Sequence, residues 1–319
     1  MRRYVAVRLL QFIPSLLGVS IAVFVLLRIM PGDVASLILL GQGGGVQPRE
    51  EDIIALRHQL GLDVPIHVQY VDWLWGLVRL DPGRSLFYDV PIRAEILRTL
   101  PVTAELIVLT LAVSLAISIP LGVLSAIRQN TWLDHALRVF SVAGLSMPTF
   151  WSGTLVLLFL VTLFNWIPPL GISMLWEDPW ANVKQMVLPA LTLGYFLSAM
   201  TSRMVRSAMV EVLREDYVRT AWAKGLRERV VVLRHAFRNA SLPVVSLVGV
   251  QFAIILGGTV VIEQIFTLPG IASDLVNAIF HRDYPMVEAV VMLFAFLILA
   301  VNLVIDMMYA WLDPRIRYT

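Results

Sequence analysis

Few residues in this sequence are of types that could carry chemistry. Its five histidines, His58, His67, His135, His235 and His281, fall in no H-E-x-x-H or other compact ligand spacing. Cysteine is absent, which removes thiolate nucleophiles, thiolate metal sites and disulfides. No glycine-rich loop ends in Lys-Ser or Lys-Thr, and "GQGGG" (41–45) lacks the lysine, so the chain is not expected to hold ATP phosphates. Serines, histidines and aspartates occur, but nothing in their order converges them into a triad. The expectation is a chain with no enzymatic activity, no cofactor and no metal of its own.

What remains is of two kinds. The first is a set of polar residues inside apolar stretches: Glu105, Gln251, Glu288, Asn302 and Asp306. Ionisable groups are costly in hydrocarbon and face a bundle interior or a water-filled path. Glu105 and Glu288 fall near the outer ends of their stretches, and Asn302 and Asp306 stand one turn apart near an inner end. For these four, helix-to-helix hydrogen bonds or proximity to water are the favoured reading. Gln251 is the candidate for a solute path, because "LVGVQFAIILGG" puts it mid-stretch beside Gly249 and before Gly257 and Gly258, where small residues let neighbouring helices slide.

The second is "DYVRTAWAKGL" (216–226), charged and alanine-rich between two apolar stretches. On a helix, Tyr217, Ala221 and Gly225 recur at i, i+4 and i+8 and form one face with little bulk beyond the tyrosine. Asp216, Arg219 and Lys224 point elsewhere. Gly225 can end the helix, since glycine accepts a left-handed backbone cheaply. A basic helix, "RERVVVLRHAFRNA", follows, and Pro243 can start the next apolar stretch. Helix, tight break, helix, membrane is the geometry of a rigid prong for a cytoplasmic partner. A basic amphipathic helix lying on anionic lipid is the competing reading; it calls for a bulky apolar face, which an Ala/Gly face fits poorly.

The elements that must position these residues are membrane spans. Hydrophobic residues make up 58% of the chain and charged ones 15%, against roughly 45–50% and about 25% in soluble domains. Six stretches approach the ~20 apolar residues that cross a bilayer: about 9–30, 100–127, 138–163, 187–205, 242–262 and 286–310. The fourth is the least apolar and carries Arg203. Pro120 and Pro148 fall inside spans and are expected to kink them. The N-terminal stretch is too long for a cleavable signal and lacks its cleavage site, so it reads as an uncleaved first span. Net charge is only +2, which points to no nucleic-acid partner.

Basic residues set the orientation. They gather before the first span (Arg2, Arg3, Arg8), near 128–138, through 203–238 and in the tail (Arg315, Arg317). The loops 164–186 and 263–285 hold one each, Lys184 and Arg282. This alternation predicts an all-α polytopic membrane protein with six transmembrane helices, both termini cytoplasmic and a long extracytoplasmic loop after the first helix. The chain then divides into 1–30, tail and first span; 31–99, an extracytoplasmic region of amphipathic helices; 100–310, the transmembrane core with a cytoplasmic loop at 206–241; and 311–319, a cytoplasmic tail. Within 31–99, one short helix is expected between Pro48 and Gly61 and another in "HVQYVDWLWGLVRL" (67–80), both lying on the outer surface and capping the spans.

"REDYVRTAWAKGL…RHAFRNASLPVV" resembles the cytoplasmic signature of binding-protein-dependent ABC importer permeases (type I), in the dipeptide/oligopeptide/nickel branch. Ala221, Gly225 and Leu242-Pro243 match it. Arg219 stands where the general signature often has an acidic residue, with Glu215 and Asp216 just upstream. "MPGD" (30–33), "LGLDVPIHVQYVDWLW" (60–75), "SMPTFW" (146–151), "HRDYP" (281–285) and "NLVIDMMYAWLDPRIR" (302–317) extend the resemblance, in order, over nearly the whole chain. It implies a permease subunit in a bacterial cytoplasmic (inner) membrane, forming half of a path for di- or oligopeptides. Nickel or oligosaccharides are alternative solutes, and an ion-coupled secondary transporter is a more distant reading. The implied partners are a second homologous permease, two cytoplasmic ATP-binding subunits that carry ATP and Mg, an extracytoplasmic solute-binding protein, and lipid. The prong becomes a coupling helix, with Asp216, Tyr217, Ala221, Lys224, Gly225 and Leu226 at the ATPase contact.

Overall fold

A computed structural model describes residues 2–29, 33, 35, 36, 38, 39, 48–59, 61–167, 169 and 171–312. The expected "GQGGG" break, most of "MPGD" and the basic tail lie outside them. The described residues are almost all helical, with one isolated β-bridge, Arg84 to Pro91. In chain order the helices are α1 (Arg2–Ile29), α2 (Glu50–Gln59), α3 (Ile66–Val78), α4 (Ile92–Ile127), α5 (Trp132–Ser146), α6 (Thr149–Phe164), α7 (Pro179–Val212) and α8 (Asp216–Ala223). Then come α9 (Glu228–Val230), a π-helical turn (Val231–Ala236), α10 (Phe237–Ala240), α11 (Leu242–Ile265), α12 (Ile271–Phe280) and α13 (Tyr284–Leu312).

Among the described residues, five helices are long and apolar enough to cross a membrane unaided: α1 over Leu10–Ile29, α4, α7, α11, and α13 over Tyr284–Met308. The stretch expected as one span at 138–163 is instead two helices, α5 and α6, meeting at 99°. Pro148 makes this break. Its ring bars the preceding residue from the helical region, and Met147 is extended at φ −108°, ψ 124°. Counting that bent pair, the spans number six. α4, by contrast, runs unbroken through Pro101 and Pro120, as helices in bilayers do when neighbouring groups take up the freed carbonyls.

The chain forms two compact units. One comprises Pro101–Ser273 with Ala300–Thr319, and the other Arg2–Leu100 with Asp274–Leu299. In the first, α7 is the central helix, packed by α5, α6 and α11. Its low hydropathy has a physical reason: half of its most apolar window is buried by protein, against 11% for α13. A helix surrounded by helices needs small groups more than oily ones. A Cβ on Gly194 would lie 2.5 Å from Val113 Cγ1, and one on Gly122 2.6 Å from Val205 Cβ.

In the second unit, the two expected outer helices appear as α2 and α3, with Glu50 and Glu51 in the first turn of α2. Asp33 accepts from Ser36 N at 3.0 Å and from Arg57 Nε at 3.0 Å. Burial works to raise the Asp33 pKa, but the Arg57 and Ser36 hydrogen bonds outweigh it and hold the carboxyl below its ordinary value. "HRDYP" acquires a structural role. The buried Asp283 carboxylate accepts from Ser85 Oγ, from Leu86 N at 3.1 Å and from Met286 N at 3.3 Å. His281 stacks on Phe87 with ring centroids 3.7 Å apart.

Candidate functional site: the prong between α7 and α11

The prong is built from local rules. α7 stops at Val212 and a tight turn follows, with Glu215 N donating to Val212 O at 3.1 Å. α8 then runs for eight residues. It ends in a Schellman motif: Gly225 N donates to Trp222 O at 2.9 Å and Leu226 N to Ala221 O at 3.4 Å. That motif needs a left-handed residue, and Gly225 sits at φ +73°. Arg227 opens the next helix, which passes through the π-helical turn to Ala240. Pro243 then stands in the first turn of α11, where a missing N–H costs nothing.

Packing fixes the prong to the membrane core. Val218, Ala221 and Val231 form a buried cluster, closed by Val212 and Leu213. On the other side of the same turn, Val232 and Ala236 join Val123, Ala126, Val205 and Met209 at the ends of α4 and α7. Tyr217 ties α8 to the returning helix: its Oη accepts from Asn239 Nδ2 at 2.7 Å and donates to His235 O at 3.5 Å.

This arrangement separates the residues that the sequence groups on one face. Ala221 points inward, and its smallness makes room for Val231 of the same chain. Tyr217 is an internal brace with an exposed flank. Asp216, Lys224, Gly225 and Leu226 are exposed, together with Arg219, Thr220 and Trp222. Asp216 and Arg219 lie 3.6 Å apart in a loose pair on the surface. Trp222 and Thr220 were passed over in the sequence. The signal for Trp222 was its type: a large indole in a water-facing segment otherwise short of apolar bulk.

A second charged constellation stands behind the prong. Asp134, with no exposure, accepts from Arg206 Nε at 2.9 Å and Nη2 at 2.8 Å, from Asn130 N at 3.0 Å and from Ser125 Oγ. This fork-to-fork pair locks α5 and the 128–131 turn to α7 two turns before the prong begins. In the sequence Arg206 counts only as one of the basic residues of 203–238 and Asp134 stands out for nothing, because the partners are 72 residues apart.

The polar groups inside the spans are largely committed to protein partners. Gln251 is buried between α11 and α7, where its Nε2 donates to Leu197 O at 3.1 Å and to Thr201 Oγ1. Glu288 is buried and pairs with Arg28. Glu263, also unremarked in the sequence, accepts from Thr103 Oγ1 at 2.6 Å and Ser273 N at 2.7 Å, bringing the end of α11 onto the start of α12.

The geometry is that of a membrane core with a braced, protruding hairpin. Comparison with known proteins decides its kind. Residues 118–318 match the family described as the binding-protein-dependent transport system inner membrane component, and residues 1–107 match the N-terminal component of the same systems. The chain belongs to this family.

It is therefore a permease component of an ABC-type transport system and a multi-pass protein of the bacterial inner membrane. Similar proteins align end to end with it. A Brucella abortus (strain 2308) protein, whose name assigns it provisionally to a peptide transport system as its permease, is 41% identical over 312 residues, covering 98% of both chains. The glutathione transport system permease protein GsiC of Salmonella typhimurium is 37% identical over 318 residues, covering 100% of both. The segment 118–318 spans both the bent pair and the prong, so these features belong to a transport subunit and not to an enzyme.

Proposed function

We propose that this permease forms half of an inward path for short peptides and is driven through the prong by a cytoplasmic ATP-binding subunit. The observation that carries the coupling is the hairpin itself. α8 is held rigidly by Val218, Ala221 and Val231 while Asp216, Arg219, Thr220, Trp222, Lys224 and Leu226 stay exposed. A push on that outer side passes through the Val231–Ala236 turn to the ends of α4 and α7. Trp222 and Leu226 supply the apolar anchor, and Asp216, Arg219 and Lys224 the charged rim that orients docking more than it tightens it.

The remaining partners follow from a binding-protein-dependent system: an extracytoplasmic solute-binding protein, a second homologous permease and a pair of ATP-binding subunits that hold ATP and Mg. With the prong in the cytoplasm, both termini are cytoplasmic and α2 and α3 are extracytoplasmic. Peptides are the favoured solute because the relatives that align end to end carry peptide or glutathione names. Gln251 is kept as a candidate for the path, its Oε1 being buried with no hydrogen-bond partner among the described residues.

Reconstitution tests this reading. The chain assembled with its ATP-binding subunits, second permease and binding protein should accumulate a labelled di- or tripeptide only with ATP. Accumulation by this chain alone under an ion gradient would overturn it.

A further inference from the structure

We infer that α3 is not a surface cap: it is sunk into the leaflet at the Ile29 end of α1, with one side against lipid acyl chains. The depth comes from α1. Its C-terminal end is marked by Arg28, paired with Glu288 and bordering a cleft of ≈ 360 Å³ that Asp72, Arg84 and Tyr284 also line. Charged groups of this kind belong at the water boundary. Ser20 lies nine residues before Ile29, about 14 Å down a helix that rises 1.5 Å per residue. The hydrocarbon layer is about 30 Å thick, which puts Ser20 near its middle.

α3 reaches that depth. Ser20 Oγ donates to Leu17 O at 2.8 Å, so Tyr70 Oη, 2.8 Å away, donates to Ser20 Oγ. Phe24, one turn higher and almost fully buried, is covered by Tyr70 at 5.2 Å and Trp73 at 5.6 Å between ring centroids. A helix whose tyrosine meets mid-membrane Ser20 lies with its axis below the headgroups, the position of an interfacial helix buried about 5–10 Å past the boundary.

The free side of α3 matches that solvent. Val64, just before the helix, then Val68, Val71, Trp75 and Val78 recur at spacings of four and three, one helical stripe. All are exposed, Val71 by 60%, Trp75 by 55% and Val78 by 66%. Asp72 turns away to the polar cleft, and Arg79 folds back over Trp75 with its guanidinium 4.8 Å from the ring centroid. His67, in the first turn, is the polar edge of the stripe. α1 exposes an equally apolar side at the same level, including Ile21 and Val25. The stripe therefore continues the lipid-facing surface of a span, and acyl chains are the occupant.

The absence of cysteine makes this directly measurable. Val71→Cys and Trp75→Cys variants would carry a nitroxide in the importer purified with its partners and reconstituted in lipid vesicles. Ile21→Cys serves as the lipid reference and Asp52→Cys as the water reference. Membrane burial predicts that both test sites collide with oxygen several-fold more than with a water-soluble nickel chelate, as at residue 21. Nickel access equal to that at residue 52 would put α3 in water and overturn the inference. Shielding from both probes would show a protein cover, a second permease or the binding protein, and would equally overturn it. If Trp75→Cys fails to assemble, Val71→Cys alone decides.

Discussion

Val231 is fully buried against Val218 and Ala221, so what happens at Ala221 is decided inside this chain. Ala221→Phe must push α8 off the returning helix, at the ~1–3 kcal/mol cost of overpacking. We expect ATP hydrolysis by the assembled importer to lose its stimulation by binding protein, while insertion and span content, followed by circular dichroism, stay unchanged. Lys224→Ala, on the exposed rim, should change stimulation less than about threefold, since rim charges affect orientation more than affinity. The Asp134–Arg206 pair gives a prediction with an order to it. Asp134 has no exposure, while Arg206 keeps 21%. Arg206→Met takes the bidentate partner from the fully buried charge, leaving it Ser125, Asn130 N and Arg138 Nε at 3.5 Å, and should cost roughly 1.5–3 kcal/mol. Asp134→Asn leaves a cation that can still reach solvent and should cost less. Thermal unfolding in detergent checks the order, and a lower melting temperature for Asp134→Asn would contradict it. The types of these residues were legible in sequence and their partners were not. Ala221 and Gly225 announced a close approach; in the fold Val231 approaches Ala221, while the space around Gly225 is open.

At the scale of elements, the stop after α8 is the feature that makes the prong a hairpin. Gly225 holds φ +73° with open space around its missing Cβ. Gly225→Ala therefore meets no clash and only the left-handed penalty, roughly 1–2 kcal/mol. We expect a partial loss of coupled ATP hydrolysis that Gly225→Asn relieves, because asparagine tolerates that backbone better. Equal loss in both variants would point to a contact with a partner at this position, not to backbone strain. The elements that apolar length rendered well were the long, strongly hydropathic helices α1, α4, α11 and α13. The bent pair α5–α6 was drawn as one span because hydropathy is blind to direction, although Pro148 supplied the clue. α12 was missed because ten residues are too few to stand out in a loop. α7 looked weakest and is the most buried span, since hydropathy scores lipid contact and α7 has helices there instead.

For the molecule as a whole, two fixtures lead from the prong into the spans: the Val232–Ala236 packing on α4 and α7, and the Asp134–Arg206 lock between α5 and α7. Motion delivered at α8 therefore reaches three transmembrane helices as one body. The proposed coupling requires this, since a push from a partner subunit has to become a change of access. In the proposed assembly the exposed side of α8 is gripped by an ATP-binding subunit. The most direct measurement places a photo-crosslinking side chain at Ala223, on the outer side of α8 and clear of the buried cluster, in the assembled importer. A crosslink to the ATP-binding subunit is expected, identified by mass spectrometry and altered in yield when ATP is bound. Crosslinks to lipid alone, in an importer that still couples ATP hydrolysis to uptake, would contradict it.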